Sequence, residues 1–353
     1  MQSDLAIQAA VICASAFAST VVATRVLIPW LRRRGVIDIP NARSSHRVPT
    51  PRGGGVGIVL GIAIATVVGA RLGLKIPGTH LWVAALVVAA CGLWDDLAGG
   101  LPIGLRLAIQ TAAAAQVAYS TGGLTRLALP PPFNIPLGFL SIPLAAIWIV
   151  GTLNLFNFLD GIDGYAGVQG AVGGLVIALF HFGEVTTAIG LAIMGACLGF
   201  LFYNWHPAKV FMGDVGAVTL GFLLASLPFE MPKSDSSSAV FLVAMSLWFF
   251  LSDGVFTVLT RLFRGDRIWT PHKTHLYQQL VAQGVRHDRV VRRLGGPMLV
   301  LGGLALISTI PGFSSLQWLV LCAAVLSFIA YVAVVRAHKA KSHRPPLATM
   351  SKA

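Results

Sequence analysis

Long apolar stretches alternate with short polar segments along almost the whole chain. A helix needs about 20 apolar residues to cross the hydrocarbon core of a bilayer, and most of the stretches approach or exceed that length. The pattern therefore predicts an all-α, polytopic integral membrane protein with about 11 transmembrane helices. The predicted helices cover residues 5–31, 54–74, 79–94, 101–120, 138–157, 165–182, 185–203, 215–230, 238–262, 297–311 and 315–335.

The polar segments are too short to form a separate soluble domain. We expect a single membrane domain over residues 1–335, followed by a basic cytoplasmic tail at 336–353 that is disordered. The first stretch has no basic region before it, so we interpret it as an anchor and not as a cleaved signal. The loops expected to carry the active site on the cytoplasmic side are 32–53, 95–100, 158–164, 204–214 and 263–296.

Composition excludes several classes of protein. Only 11% of the residues are charged and 56% are hydrophobic, whereas soluble proteins carry about 25% charged residues. The net charge of +13 therefore indicates basic loops beside a lipid bilayer and no nucleic-acid partner. The four cysteines lie in apolar stretches without a CxxC pair, which argues against a disulfide framework or a thiolate zinc site.

The distribution of basic residues predicts the orientation. If the N-terminus is outside and the chain crosses eleven times, 19 of the 26 Lys and Arg residues lie in inside segments. Lys and Arg favour the cytoplasmic side. The sequence therefore predicts an outside N-terminus and an inside C-terminus.

Five aspartates carry the strongest chemical signal. In the predicted topology they lie at helix ends on the same cytoplasmic face, which is otherwise basic. Any one of them could simply cap a helix, but a cluster of carboxylates with an Asn suits Mg²⁺, which prefers oxygen ligands and often bridges to phosphate. The five residues are Asp95, Asp96, Asp160, Asp163 and Asp214.

Two basic segments could bind phosphate. In the first, Arg43, His46 and Arg52 precede three glycines at 53–55, whose free N–H groups could face an anion. A positive-inside loop with a glycine hinge is the alternative. In the second, His272, Lys273 and His275 lie close together. We favour phosphate contacts over zinc here because no third zinc ligand lies nearby.

Asp253 differs because it lies within the ninth apolar stretch. An acidic residue inside a membrane suggests function by default. We slightly favour a structural role, in which the buried carboxylate bonds to a neighbouring helix. Residues 276–294 then suggest an amphipathic helix, either in the membrane interface or in a loop.

Five motifs between residues 38 and 280 together resemble one family, the polyprenyl-phosphate N-acetylhexosamine-1-phosphate transferases. The motifs are DIPNARSSHRVPTPRGGG at 38–55, GLWDDL at 92–97, NLFNFLDGIDG at 154–164, NWHPAKVFMGDVG at 204–216 and PHKTHLYQQL at 271–280. The resemblance implies ten or eleven membrane helices in the bacterial cytoplasmic (inner) membrane. It also implies a cytoplasmic Mg²⁺ site, in which Mn²⁺ is a candidate substitute.

The resemblance implies that a sugar 1-phosphate passes from a UDP-N-acetylhexosamine to undecaprenyl (polyprenyl) phosphate, with release of UMP. It assigns catalysis to Asp95, Asp96 and Asp163, and the metal to Asn157 and Asp214. Together with the basic segments, it indicates substrate binding by Arg43, His46, Arg52, Asn154, Asp160, His272, Lys273 and His275. Homo-oligomerisation stays open, as does the donor sugar.

Two departures disfavour the peptidoglycan branch of this family. That branch has a Lys shortly after its Asp pair and three consecutive His in the late loop. Here residues 97–100 read LAGG, and the late loop has two separated His. The motifs look more like the branch that initiates O-antigen and related surface polysaccharides.

Two rivals from other classes fit less well. A secondary transporter would place its polar groups near the bilayer midplane, whereas five acids here lie at predicted helix ends. A CDP-alcohol phosphotransferase needs aspartates spaced along one helical segment, and that spacing is absent from this sequence.

Overall fold

A computed structural model describes residues 2–40, 45–128, 130, 133–267 and 272–342. Within these residues the chain is mainly helical. The helices are α1 (Gln2–Arg33), α2 (Gly55–Arg71), α3 (Thr79–Ala98), α4 (Ile103–Thr121), α5 (Ser141–Leu159), α6 (Tyr165–Leu179), α7 (Val185–Asn204), α8 (Gly213–Ser226), α9 (Ser236–Ser246), α10 (Trp248–Phe263), α11 (Leu276–Ala282), α12 (His287–Ser308) and α13 (Leu316–Ser342).

Four short strands form two antiparallel pairs in the loops. They are β1 (Ile37–Asp38), β2 (Thr50–Pro51), β3 (Arg126–Ala128) and β4 (Asn134–Pro136). In the first pair Ile37 lies opposite Pro51, and in the second Leu127 lies opposite Ile135. The first pair closes the loop between α1 and α2, so that Arg52 follows directly from a paired strand.

The structure confirms an all-α membrane protein, and each of the eleven predicted stretches is helical over most of its length. Within the described residues, six helices are long and apolar enough to cross a membrane. They are α1, α3, α5, α7, α12 and α13. The bent pair of α9 and α10 would add a seventh, and α2 and α6 are shorter apolar helices. The count of eleven crossings and the orientation stay predictions.

The ninth predicted helix, at 238–262, is broken in the structure. Helices α9 and α10 meet at an angle of 76°. The buried side chain of Gln169 donates a hydrogen bond of 2.7 Å to the carbonyl oxygen of Ser246, at the end of α9. A side chain that inserts into the backbone hydrogen-bond pattern in this way stabilises a sharp kink, and the apolar pattern alone gave no sign of it.

The amphipathic segment at 276–294 also forms two helices instead of one. Helix α11 ends at Ala282, and Gly284 has a positive φ of 87°. Helix α12 then begins at His287, ten residues before the predicted membrane stretch. At the other end of the chain, α13 continues to Ser342, past the predicted end at 335. Residues 343–353 of the predicted tail lie outside the described residues.

Helix α8 lies at the centre of the bundle. Every one of its residues is buried, as expected for a helix that is apolar all round. It packs mainly between α3 and α5, while α7 packs against α1, α2 and α6. The N-terminal end of α8, which carries Asp214, is therefore enclosed by other helix ends.

Glycines allow α2 and α3 to approach the start of α8 closely. A Cβ on Gly92 would lie 2.8 Å from the backbone N and Cα of Val215, and a Cβ on Gly55 would lie 2.3 Å from the Cα of Gly216. Such close approach is typical of helix packing in membranes, where small residues let backbones meet. These contacts bring the GLWDDL segment (92–97) and the FMGD segment (211–214) together in space.

The orientation can be tested by labelling introduced cysteines. We expect a membrane-impermeant maleimide, added from the periplasmic side, to label a Cys at the exposed position Ser234 but not one at Ala340. The basic loops should hold the C-terminal end inside. Wild-type protein, whose four native cysteines lie in apolar stretches, is the background control. Labelling of both positions from outside would contradict the predicted orientation.

The glycine contact predicts that Gly92→Ala is destabilising. The added Cβ would meet backbone atoms of Val215, and overpacking of this kind costs about 1–3 kcal/mol. We expect a lower thermal unfolding temperature for the purified protein. Gly151→Ala is the matched control, because a Cβ on Gly151 in α5 meets nothing within 4 Å. An unchanged unfolding temperature for Gly92→Ala would show that α3 and α8 can move apart without a loss of stability.

Candidate active site

Three carboxylates meet where the C-terminal end of α3 faces the N-terminal end of α8. Asp95, Asp96 and Asp214 are all buried. Asp96 accepts hydrogen bonds from the backbone N–H groups of Asp214 (2.9 Å) and Val215 (3.0 Å). These bonds satisfy N–H groups that have no partner within α8. Asp96 therefore fixes the position of Asp214, whereas Asp95 pairs with an arginine of α4.

Two arginines join the three carboxylates. Arg52 places Nε 2.8 Å from Asp96 Oδ1 and Nη2 2.5 Å from Asp214 Oδ1. Arg106 places Nη1 3.2 Å from Asp95 Oδ2 and 3.0 Å from Asp214 Oδ2. Both oxygens of Asp214 therefore face a guanidinium group. Three carboxylates against two guanidinium groups leave this cluster with a formal charge of −1.

Sequence reasoning missed Arg106. It is the only charged residue in the fourth predicted stretch, at 101–120. An isolated charge inside an apolar stretch signals function or pairing, and that signal could have identified it. Its partners could not be read from the sequence, because Asp214 lies 108 positions away along the chain.

The first basic segment packs directly against the FMGD motif. Gly54 and Gly55 donate their backbone N–H groups to the carbonyl oxygens of Phe211 (2.9 Å) and Met212 (2.8 Å). The expectation that these N–H groups are free for an anion is therefore wrong for both glycines. The carbonyl oxygens of residues 211–212 take up these donors, and the N–H of Phe211 in turn donates to the carbonyl oxygen of Pro51 at 2.8 Å. These bonds place Arg52 beside Asp214.

Of the other predicted residues of that segment, His46 lies among the described residues. Arg43 lies outside the described residues. The ring of His46 contacts the ring of Phe211 edge-on, with 4.7 Å between centroids. Its buried Nε2 has no hydrogen-bond partner within the described part of the chain. His46 is thus beside the FMGD motif with one ring nitrogen unused.

The NLFNFLDGIDG motif covers the last turns of α5 and the loop after it. Asn154 donates from Nδ2 to Gln110 Oε1 at 3.0 Å, so that its amide N–H group is directed into the bundle. Asn157 lies one turn later and is partly exposed. Burial, together with the negative charges of Asp214 and Asp96, raises the pKa of Asp160 to about 7. The acidic loop is therefore electrostatically coupled to the central cluster.

Asp163 binds two histidines that sequence reasoning did not single out. Its Oδ2 lies 2.6 Å from His206 Nδ1 and 3.2 Å from His287 Nδ1, and it accepts the N–H of Ala208 at 3.2 Å. Burial by itself would raise the pKa of Asp163, but these histidines lower it overall. The carboxylate therefore stays ionised. His206 lies in the NWHPAKVFMGDVG motif, and its position in that motif was a signal that could have identified it.

This group of one Asp and two His also has the composition of a metal site, since its ligand atoms lie within 4.8 Å of one another. Two ligands of one tetrahedral ion are separated by about 3.3 Å when each bond is about 2.0–2.1 Å. The distance of 2.6 Å between His206 and Asp163 is instead that of a hydrogen bond. We therefore interpret the group as a hydrogen-bond network.

The late basic segment differs among its three predicted residues. Lys273 is exposed and His272 is partly exposed. Burial and the neighbouring His275 lower the pKa of His272 to about 4, so its ring is neutral at neutral pH. His275 is buried, with Nδ1 3.3 Å from Asp253 Oδ1. The exposed positions of this segment are therefore those before His275.

Comparison with known proteins supports the family resemblance that the five motifs indicate. Residues 79–231 match the profile of glycosyl transferase family 4. The chain is 29% identical over 331 residues to a probable undecaprenyl-phosphate N-acetylglucosaminyl 1-phosphate transferase of Bacillus subtilis, covering 91% of this chain and 88% of that protein.

Two further relatives come from other bacteria. A decaprenyl-phosphate N-acetylglucosaminephosphotransferase of Mycobacterium tuberculosis is 31% identical over 299 residues, or 73% of this chain and 72% of that protein. A phospho-N-acetylmuramoyl-pentapeptide-transferase of Thermosynechococcus vestitus is 35% identical over 230 residues, or 60% of this chain and 61% of that protein. The resemblance seen in the five motifs is confirmed, and the chain belongs to glycosyl transferase family 4.

Proposed function

We propose that this protein transfers an N-acetylhexosamine 1-phosphate from a UDP-sugar to a polyprenyl phosphate, with undecaprenyl phosphate as the bacterial acceptor. UMP is the second product, and the lipid-linked sugar starts a surface polysaccharide. The observation that carries the proposal is the buried cluster of Asp95, Asp96, Asp214, Arg52 and Arg106 at one end of an apolar bundle. The named activities of its relatives agree with it.

The proposed reaction breaks one phosphorus–oxygen bond and forms another. An oxygen of the lipid phosphate attacks the β-phosphorus of the donor, and UMP leaves with the bridging oxygen. The bond between the sugar and its phosphate oxygen is not touched, so the anomeric configuration is retained. The arginines can orient the phosphate groups because a guanidinium group matches phosphate geometry.

The residues present fit a magnesium ion. Carboxylate and amide oxygens are ligands that Mg²⁺ accepts, and Asp214 and Asn157 would hold it, with Mn²⁺ as a candidate substitute. Asp214 is buried among other carboxylates, and Asn157 is partly exposed near the end of α5. When bound, the ion would stabilise negative charge on the phosphoryl oxygens.

The apolar surface and the charge bias support a location in the bacterial inner membrane with the site facing the cytoplasm. Asp95 lies at the end of α3, Asp160 follows α5 and Asp214 begins α8. If α4 and α5 each cross the membrane once, the end of α5 returns to the side where α3 ends. If α6 and α7 also cross once each, α8 begins on that same side. That arrangement supports eleven crossings.

The function can be tested with purified protein, polyprenyl phosphate and a panel of UDP-sugars. We expect UMP release that depends on the acceptor, and a lipid-linked sugar phosphate identified by mass. UDP-GlcNAc, UDP-GalNAc and UDP-activated deoxy-N-acetyl sugars are the donors to compare. A preference for UDP-MurNAc-pentapeptide would assign the protein to the peptidoglycan branch instead. UMP release without acceptor, or no release with any donor, would contradict the proposal.

The metal site can be tested by two variants that should change the Mg²⁺ concentration for half-maximal effect in opposite directions. Asp214→Asn removes a negative charge, so more Mg²⁺ should be needed, and activity should fall at least about a hundredfold. Arg106→Gln removes a cation that forms ion pairs with both Asp214 and Asp95. A divalent cation then competes with one guanidinium group fewer, so less Mg²⁺ should be needed for half-maximal effect.

The readouts are UMP release at rising Mg²⁺ and the Mg²⁺-dependent shift of the unfolding temperature without substrate. Asp235→Asn also removes one aspartate and serves as the control, because Asp235 precedes α9 and follows the end of α8 opposite to Asp214. It should behave as wild type. EDTA should inactivate the wild type, and Mg²⁺ or Mn²⁺ should restore it. Equal Mg²⁺ dependence of Asp214→Asn and wild type would remove Asp214 from the metal site.

A further inference from the structure

Asp253 lies in α10, and its side chain is completely buried. Its carboxylate has contacts with two other elements. Oδ1 accepts the backbone N–H of Leu276 at 3.0 Å, and Oδ2 accepts the N–H of Tyr277 at 3.3 Å. These two N–H groups belong to the first turn of α11, where helix donors have no partner of their own. Asp253 therefore caps α11 from a different helix.

The remaining contacts of the carboxylate enclose it fully. Thr257, one turn later in α10, donates to Oδ1 at 3.1 Å, and the hydroxyl of Tyr331 in α13 donates to Oδ2 at 3.4 Å. His275 Nδ1 lies 3.3 Å from Oδ1. A buried carboxylate is costly unless donors surround it, and four donors and the ring of His275 do so here. Three of them come from residues 275–277.

This cap sets the position of the late basic segment. His275 is the residue immediately before α11, and its ring lies 5.0 Å from that of His272. The carbonyl oxygen of Thr274 accepts a hydrogen bond of 2.8 Å from Gln279 in α11. Lys273 therefore lies between two residues that are held by α11 and its cap. Loss of the cap would release His272 and Lys273 together.

The same cap reaches the acidic loop through Tyr277. The hydroxyl of Tyr277 donates to the carbonyl oxygen of Phe158 at 3.3 Å. It also lies under Gly161, where an added Cβ would meet it at 2.1 Å. Phe158 and Gly161 flank Asp160. Helix α11 thus connects the basic segment to the NLFNFLDGIDG loop, and Asp253 holds α11.

We infer that Asp253 is a positioning residue, which holds the His272–Lys273 segment beside the NLFNFLDGIDG loop so that Lys273 can bind the diphosphate of the nucleotide sugar. The inference rests on the proposed function for the identity of that ligand. It also explains why an acidic residue lies within an apolar stretch: its partners are the backbone N–H groups of a loop helix, and its role is local order.

The first test compares Asp253→Asn with Tyr331→Phe. Asparagine keeps the size but turns one acceptor into a donor that faces other donors. Without substrate, we expect tryptic cleavage after Arg264, Arg267 or Lys273 to accelerate at least about tenfold. This factor corresponds to the free energy lost when charge-assisted hydrogen bonds are removed. Tyr331→Phe removes one donor to the same carboxylate but leaves both N–H bonds of α11 in place, and its cleavage rate should stay within about twofold of wild type.

The kinetic readout separates positioning from general damage. For Asp253→Asn the KM of the UDP-sugar should rise at least about tenfold, while the KM of the polyprenyl phosphate stays within about twofold. Unchanged cleavage and an unchanged donor KM would overturn the inference, as would equal loss of affinity for both substrates. Should wild type act on no UDP-sugar, the proposed function fails, whereas the cleavage comparison still reports on the cap.

A second pair of variants removes the cap without changing Asp253. Leu276→Pro and Leu276→Ala both lose the leucine side chain, but only proline lacks the N–H donated to Asp253. Proline is tolerated at the first position of a helix, and the extended backbone of His275 (φ −61°, ψ 146°) suits the residue before a proline. We expect rapid cleavage and a raised donor KM for Leu276→Pro relative to Leu276→Ala.

Equal behaviour of the two Leu276 variants would overturn the inference. So would a Leu276→Pro protein that fails to fold while Leu276→Ala folds, because the contact would then support the whole bundle and not the loop.

Discussion

The structure depends on the pairing of three buried carboxylates with two arginines at one end of the helix bundle. Asp95 and Asp96 end α3, Asp214 begins α8, and Arg106 lies in α4. Arg52 reaches the same cluster from the loop before α2. Removing one partner of a buried ion pair leaves an uncompensated charge, which is strongly destabilising. The charges proposed to serve the chemistry are therefore the same ones that hold four helix ends together.

Polar side chains inside the apolar bundle fix the irregular parts of the fold. Every backbone polar group within the hydrocarbon layer needs a partner in the protein. Gln169 supplies one at the break between α9 and α10, and Asp253 supplies two at the start of α11. These contacts thus stabilise a broken helix and a capped loop helix inside an apolar bundle. The loops proposed to bind substrate are positioned by contacts from within the bundle.

The residues of the site divide into those that sequence could find and those that it could not. The aspartates stood out because acids are rare in this chain and lie beside apolar stretches. Arg106, His206 and His287 were missed, because their significance comes from partners far away in sequence. For the same reason, the sequence could not show that His275 faces inward to Asp253 while Lys273 stays exposed.

The sequence by itself determined that this is a helical membrane protein, where most of its helices lie, and which motifs carry its acids and bases. These properties follow from hydrophobic length and local charge, which are read along one dimension. Only the tertiary structure decided that Asp96 caps α8 while Asp95 pairs with Arg106, and that the ninth apolar stretch bends. Those outcomes depend on how closely backbones approach, and contacts such as that of Gly92 with Val215 set that distance. Helix packing selects the partner of each charge, and no local pattern records that choice.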